Sequence, residues 1–193
     1  EHVETPTAAP VTPEALMGMM KCRRTTRQFL DKPVPQDVID QLLEAARYCP
    51  TAENHQVVEY LILDEKKAQA EAMAVEGFRK SKKLLEKIVP AMALQEIDDH
   101  FFFKGAPLVI IVTNKSGMDD GLAASYIELM ANSLGLGVLY SGFFRVATKV
   151  NPKLRKLLKI RRGYHLTACM VIGYPKGKYQ RVPPRLPVKV ARR

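Results

Sequence analysis

The stretch Arg23-Arg24-Thr25-Thr26-Arg27-Gln28-Phe29 puts three guanidiniums and two hydroxyls within five residues. Arginine offers a planar fork of donors that meets phosphate oxygens two at a time, and threonine hydroxyls add hydrogen bonds that fix an anion's position. Such a cluster suits a phosphorylated or otherwise anionic ligand; the plain alternative is a solvated basic turn. Three further blocks keep it company: Pro50-Thr51-Ala52-Glu53-Asn54-His55-Gln56, Gly135-Leu136-Gly137-Val138-Leu139-Tyr140-Ser141-Gly142 and Arg185-Leu186-Pro187. The glycine block lets a backbone approach a ligand closely. It lacks GxGxxG spacing, though, and reads as lying outside any strand-to-helix turn, which argues against a dinucleotide fingerprint. His55 reads as a surface histidine rather than a catalytic acid. No Ser/His/Asp or Cys/His pairing and no paired carboxylates stand out.

The elements that must carry these blocks follow from periodicity and punctuation. Residues 1–11, rich in Pro, Thr and Ala, read as a linker or flexible arm, and residues 12–193 as one domain. Thr12-Pro13-Glu14 opens a helix whose apolar side is Leu16, Met19 and Met20, the methionines serving as core filler, and which delivers the chain into the arginine cluster. Pro35 opens a second helix through Val38, Ile39, Leu42, Leu43 and Ala46, limited by Pro50. Val57–Leu63, Leu108–Val112 and Leu166–Tyr174 read as strands, the middle one with the uniform hydrophobicity of a sheet centre. Between them, Asp64 caps a long helical stretch broken near Pro90, and the segment to His100 reads as a mobile flap. Phe101, Phe102 and Phe103 read as core aromatics or an interface plug. Asp119 or Asp120 starts a helix striped by Ala123, Ala124, Ile127, Met130, Ala131 and Leu134 and ended by Gly135. Asn151-Pro152 starts another. The tail from Pro175 is basic, proline-rich and extended.

A chain of 193 residues, 47% hydrophobic, holds one substantial core. Cys22, Cys49 and Cys169 suggest neither a disulfide framework nor a metal site, and buried or inert thiols in a reducing compartment are expected. No apolar run reaches membrane-spanning length and no signal-peptide pattern opens the chain, so a cytoplasmic protein is expected, with no membrane partner. The formal charge of +10 raises nucleic-acid binding as a reading. Against it, the basic residues are spread out and carry no helix-turn-helix, zinc-finger or RNA-binding aromatic motif. An anionic cofactor or an acidic protein partner fits the charge as well.

In order and spacing, the four blocks resemble the nitroreductase family of FMN-dependent oxidoreductases, over a span from Leu16 to the C-terminus. The resemblance implies an α+β fold, a mixed central sheet flanked by helices, in a homodimer that exchanges its extended C-terminal tails and holds two FMN sites at the interface. It implies that Arg23 and Thr25 grip the phosphate and ribityl chain, that Arg24 lies against the cofactor, and that Arg185 returns to the phosphate. Arg27 matches a cation beside the pyrimidine side of the ring, where two-electron reduction leaves anionic charge. Pro50, Thr51, Ala52 and Asn54 match a segment that the second subunit lays over the flavin. The match breaks at Ala52, which replaces a serine, and at Val57-Val58, which replace Pro-Trp. Tyr140, Ser141 and Gly142 match the loop passing the flavin's N5, with the main-chain N–H of Ser141 or Gly142 as donor.

The chemistry implied is the flavin's own, with no catalytic side chain. NADH or NADPH is the expected donor in a ping-pong cycle, and nitroaromatics, quinones or similar electrophiles are the small-molecule acceptors. The polar, proline-containing start without an initiator Met also resembles the joint of fusions in which a ferredoxin domain precedes a nitroreductase domain, making ferredoxin a second expected donor. An FMN-binding storage or sensing protein without turnover is the rival that keeps all four blocks.

Overall fold

The computed structural model describes residues 11–88, 95–115 and 117–193. Residues 1–10 of the expected arm, the expected break near Pro90 and the first part of the expected flap lie outside them. Helix α1 (Pro13–Cys22) opens as its sequence predicts, with Thr12 Oγ1 accepting from Ala15 N at 3.2 Å. Helix α2 (Gln36–Arg47) follows, then a short 3-10 turn at Ala52–Asn54 and strand β1 (Glu59–Ile62). Helix α3 (Lys67–Ile88) precedes strand β2 (Leu108–Asn114), and helix α4 (Asp119–Ser133) ends at Gly135, whose φ of 76° only glycine adopts freely. Strand β3 (Gly137–Tyr140) and helix α5 (Gly142–Val150) come next, then helix α6 (Pro152–Leu157), capped by Asn151 Oδ1, and strand β4 (His165–Gly173).

The four strands stand in the order β1-β2-β4-β3, and every neighbour pair is antiparallel. The parallel component of the expected mixed sheet is one bridge, Thr25 to Val138, which lays the arginine segment along the outer edge of β3. Strand β2 is buried throughout, and apolar from Leu108 to Val112, because both its faces are covered. Val109 and Ile111 face a core shared with α3, α5, α6 and Phe101–Phe103. Leu108, Ile110 and Val112 alternate to the other face, against α2 and α4. The phenylalanine triplet is buried, which bears out its reading as core.

Two expectations are corrected. Gly135–Gly142 does not lie outside a strand-to-helix turn: it holds β3, and Gly142 begins α5, so this block does turn from a strand into a helix. The four residues of β3 are too few to show a period, and their pairing partner, Met170–Gly173, is remote in sequence. The methionines of α1 are not core filler in this chain. No residue of α1 is buried, and Leu16, Met17 and Met20 stand exposed. Cys22 is likewise exposed, whereas Cys49 and Cys169 are buried as expected.

Candidate functional site

The arginine segment is held between two edges. On one side Thr26 N donates to Val138 O (3.0 Å), and Gly137 allows the approach because a Cβ there would run into the Thr26 side chain. On the other side the chain leaving β4 folds back along it: Leu30 N donates to Tyr174 O (2.8 Å) and Lys176 N to Gln28 O (3.0 Å). Tyr179 then donates its hydroxyl to Thr25 O (3.0 Å) and lies under the Arg24 guanidinium, 4.2 Å from the ring centre. Arg24 also donates to Arg181 O at 2.8 Å. Tyr179 and Arg181 were not singled out in the sequence; a lone tyrosine among tail lysines gives no spacing to read.

Arg23 does not point free. Its Nη1 donates to Glu128 Oε1 of α4 at 2.7 Å, in a pair whose carboxylate side chain is only 10% exposed. Tyr140 completes the group, its hydroxyl donating to Ala124 O (3.0 Å) and lying 3.4 Å from Glu128 Oε2. Burial, and then the charge of Glu128, push the Tyr140 hydroxyl's pKa well up, so it stays protonated. Glu128 sits on the buried side of α4 among small residues, and the sequence carries no sign that its partner lies 105 positions away.

Arg27, Tyr140, Ser141 and Gly142 come together on one cleft of about 690 Å³. Phe101, Phe102 and Phe143 supply its aromatic wall and Lys104 a second cation. That volume falls within the range of small-molecule sites, about 300–1,000 Å³. Ser141 N donates to Cys169 O (2.8 Å), so of the two main-chain donors expected here Ser141 is already engaged. Gly142 is the first residue of α5, where helix N–H groups have no intrahelical acceptor and the dipole favours negative charge. Its open face has nothing within 4 Å of where a side chain would begin. Sequence reasoning missed Phe143, because without α5 there was no helix face to assign, and Lys104, which sits in the turn before β2 and carries no spacing to read.

The aromatic wall is fixed by a buried carboxylate. Glu71 Oε1 of α3 accepts from Phe102 N (3.1 Å) and Phe103 N (2.6 Å), with His100 Nδ1 3.6 Å from its other oxygen. Burial raises its pKa, and the two amides and His100 offset only part of that rise.

Pro50, Thr51, Ala52 and Asn54 do not line this cleft. They form an exposed loop in which Thr51 Oγ1 accepts from Gln56 N (3.1 Å) and Asn54 takes a positive φ of 54°. His55 is exposed too, its Nδ1 2.8 Å from Ala52 O, as a surface histidine would be. This loop feeds β1 at one edge of the sheet, while Tyr140–Gly142 end β3 at the other. Three strand spacings, roughly 14 Å, separate those edges. Arg185 lies in the exposed tail, clear of the cleft.

A model of the nitroreductase family matches residues 20–174. The chain belongs to the nitroreductase family. Among its relatives, a protein of Methanothermobacter thermautotrophicus with the provisional name NADH dehydrogenase/NAD(P)H nitroreductase is 26% identical over 170 residues, covering 83% of this chain and 77% of its own. The FMN reductase [NAD(P)H] of Bacillus subtilis is 26% identical over 187 residues, covering 85% and 67%. In fold, the chain superposes on a nitroreductase with bound FMN from Desulfitobacterium hafniense with a TM-score of 0.73 at 20% identity, over 92% of this chain and 97% of that one.

Proposed function

We propose that this protein is an FMN-dependent oxidoreductase that carries electrons from NAD(P)H to small electrophilic acceptors such as nitroaromatics and quinones. The observation that carries the reading is the cleft that joins the Arg27 guanidinium, the open N–H of Gly142 and an aromatic wall, in a chain of the nitroreductase family. FMN, when bound, would supply the reversible uptake of two electrons that no side chain here offers.

The residues fit such a group. Gly142 N–H donates without acting as an acid, and the α5 N-terminus and Arg27 both favour the negative charge that reduction brings. Phe101 and Phe102, themselves buried, and the half-buried Phe143 form an apolar wall that excludes water from the cleft. Thr25 and Arg24 lie on the same segment as Arg27 for the phosphate side, and Arg23 joins them with the donors that Glu128 leaves, Nε and Nη2. Lys104 and the Tyr140 end of β3 orient whatever enters above the ring. Pro50, Thr51, Ala52 and Asn54 act from a second subunit, since within one chain they sit at the opposite sheet edge.

A homodimer suits three apolar surfaces that stand exposed among the described residues. They are the exposed side of α1, Leu122 and Tyr126 on α4, and the tail, where Leu186, Val188 and Val190 alternate in extended chain with Leu186 91% exposed. Extended segments of this pattern bury themselves by pairing with another chain, which also gives Arg185 a route to the partner's site. A ferredoxin donor is the second reading, favoured by the formal charge of +10.

Anaerobic stopped-flow tests the donor and acceptor together. The flavin absorbance should bleach on mixing with NADH or NADPH and return on adding a nitroaromatic or quinone. Bleaching by reduced ferredoxin alone, strongest at low salt, would transfer the donor role to an acidic carrier. A yellow protein that neither donor bleaches would make it a storage or sensing module instead.

A further inference from the structure

A second cleft, of about 590 Å³, opens where β2 ends, β4 begins and α5 and α6 pass over them. Its polar lining includes Asn114, Lys115, Arg145, Lys149, Arg155 and His165, with no carboxylate among the lining residues. Asn114 and His165 are a cross-strand pair, so the floor is set by sheet register. Arg145 and Lys149 are four apart on α5 and share one face, where like charges repel and destabilise a helix. Arg155 is held in place by donating Nη2 to Tyr164 O at 2.9 Å. Among the described residues none of these four cations has a carboxylate within 4.0 Å, although cations elsewhere in the chain do pair.

Asn114 supplies an independent pointer. It is 0% exposed, and its Oδ1 accepts from Lys115 N at 2.6 Å, which fixes which way the amide faces. That leaves Nδ2 as a buried donor with no acceptor among the described residues. A buried donor left without an acceptor is destabilising. Four cations without a carboxylate partner line one hollow, with a buried, unused amide donor in a residue of its floor, and together they ask for an anion with several acceptor oxygens.

We infer that this cleft binds the phosphate of a phosphorylated small molecule, Arg145, Lys149, Lys115 and Arg155 neutralising it and Asn114 Nδ2 donating to one oxygen. The volume exceeds a bare phosphate and leaves room for the group that carries it. Two sources share this chemistry. One is the phosphate end of the dinucleotide donor, which rests on the flavin reading above. Gly142 and Lys149 lie seven residues apart on α5, roughly 10 Å, within the reach of an extended dinucleotide. The other is a separate phosphorylated ligand that has no part in electron transfer.

Isothermal titration of the FMN-loaded protein with inorganic pyrophosphate tests the site without using activity. Binding to wild type should weaken at least tenfold in Arg145→Gln/Lys149→Gln, both exposed positions, and hold in Lys156→Gln, a surface cation outside the cleft. Flavin content should be equal in all three. No binding to wild type, or equal binding to the double variant, overturns the inference. The sources separate kinetically. A raised KM for NADPH in the double variant, with pyrophosphate competing against NADPH, assigns the cleft to the donor, and an unchanged KM assigns it to a separate ligand. If the protein proves to be no oxidoreductase, the calorimetric result still stands or falls alone.

Discussion

Gly137→Ala strikes the contact that seats the arginine segment on the sheet. A Cβ at this position would stand 2.6 Å from Thr26 Cβ and 2.9 Å from Thr26 Cγ2, and closer still to Oγ1. Thr26 cannot swing aside cheaply: it is buried, β-branched, and tied by its N–H to Val138 O at 3.0 Å. Relief therefore means parting residues 25–26 from β3. Overpacking of this kind costs about 1–3 kcal/mol, and losing the bridging hydrogen bond adds about 0.5–1.5 kcal/mol. A total of about 1.5–4.5 kcal/mol lowers the Tm of a domain this size by roughly 3–18 °C. Because Arg27 follows one residue later, FMN affinity should fall as well. Thermal unfolding by circular dichroism and flavin-fluorescence titration read both effects. Thr26→Gly in the same background removes every clashing atom and should recover part of the loss, a favourable coupling that a double-mutant cycle measures. Gly18→Ala, at an open position inside α1, should stabilise by up to about 1 kcal/mol. A Gly137→Ala Tm within 2 °C of wild type would refute the close approach.

Other perturbations separate fold from site. Arg23→Ala should lower both Tm and FMN retention, because it leaves Glu128 without its cation; adding Glu128→Gln should restore the Tm and leave retention low, as gel filtration and thermal melts would record. Tyr179→Ala removes the hydrogen bond to Thr25 O and the stacking on Arg24, so tail residues from Lys176 onward should be cut faster by trypsin at unchanged core stability. Glu71 has a folded pKa raised above its ordinary 4.5 by burial, so its contribution is fully present below pH 4.5 and is lost as pH rises through the folded value. The Tm of wild type should thus decline over that interval relative to Glu71→Gln, which keeps an acceptor for Phe102 N and Phe103 N; parallel Tm–pH curves would contradict it.

The parts of the fold that local pattern decides were readable. Leu108–Val112 and Leu166–Tyr174 are apolar because both faces of the sheet centre are covered, and α2 and α4 show their buried stripes. The parts that distant partners decide were not. β3 is a strand because Gly173–Met170 lies beside it, and α5, rich in β-branched and aromatic residues, is a helix because Phe144 and Ala147 find a core. Of the candidate site, the residue types of Arg27 and Tyr140–Gly142 were visible in the sequence. Which main-chain donor remains open at Ser141–Gly142, the Arg23–Glu128 pair and the tail laid on Thr25 depend on contacts more than a hundred residues apart or on β-pairing. The exposed methionines of α1 had no signature either, since a helix whose apolar side stays exposed has the same sequence pattern as one packed in its own core.

Direct FMN titration of the purified protein, with its mass followed by light scattering, decides whether the Arg27–Gly142 cleft is a flavin site completed by a second subunit. The expected result is a dimer that takes up two FMN, with affinity weakened about 10- to 150-fold in Arg27→Ala, the loss of a charge-assisted contact of about 1.5–3 kcal/mol. A protein that binds no flavin, a flavin-saturated monomer, or an Arg27→Ala variant that binds as wild type would contradict it.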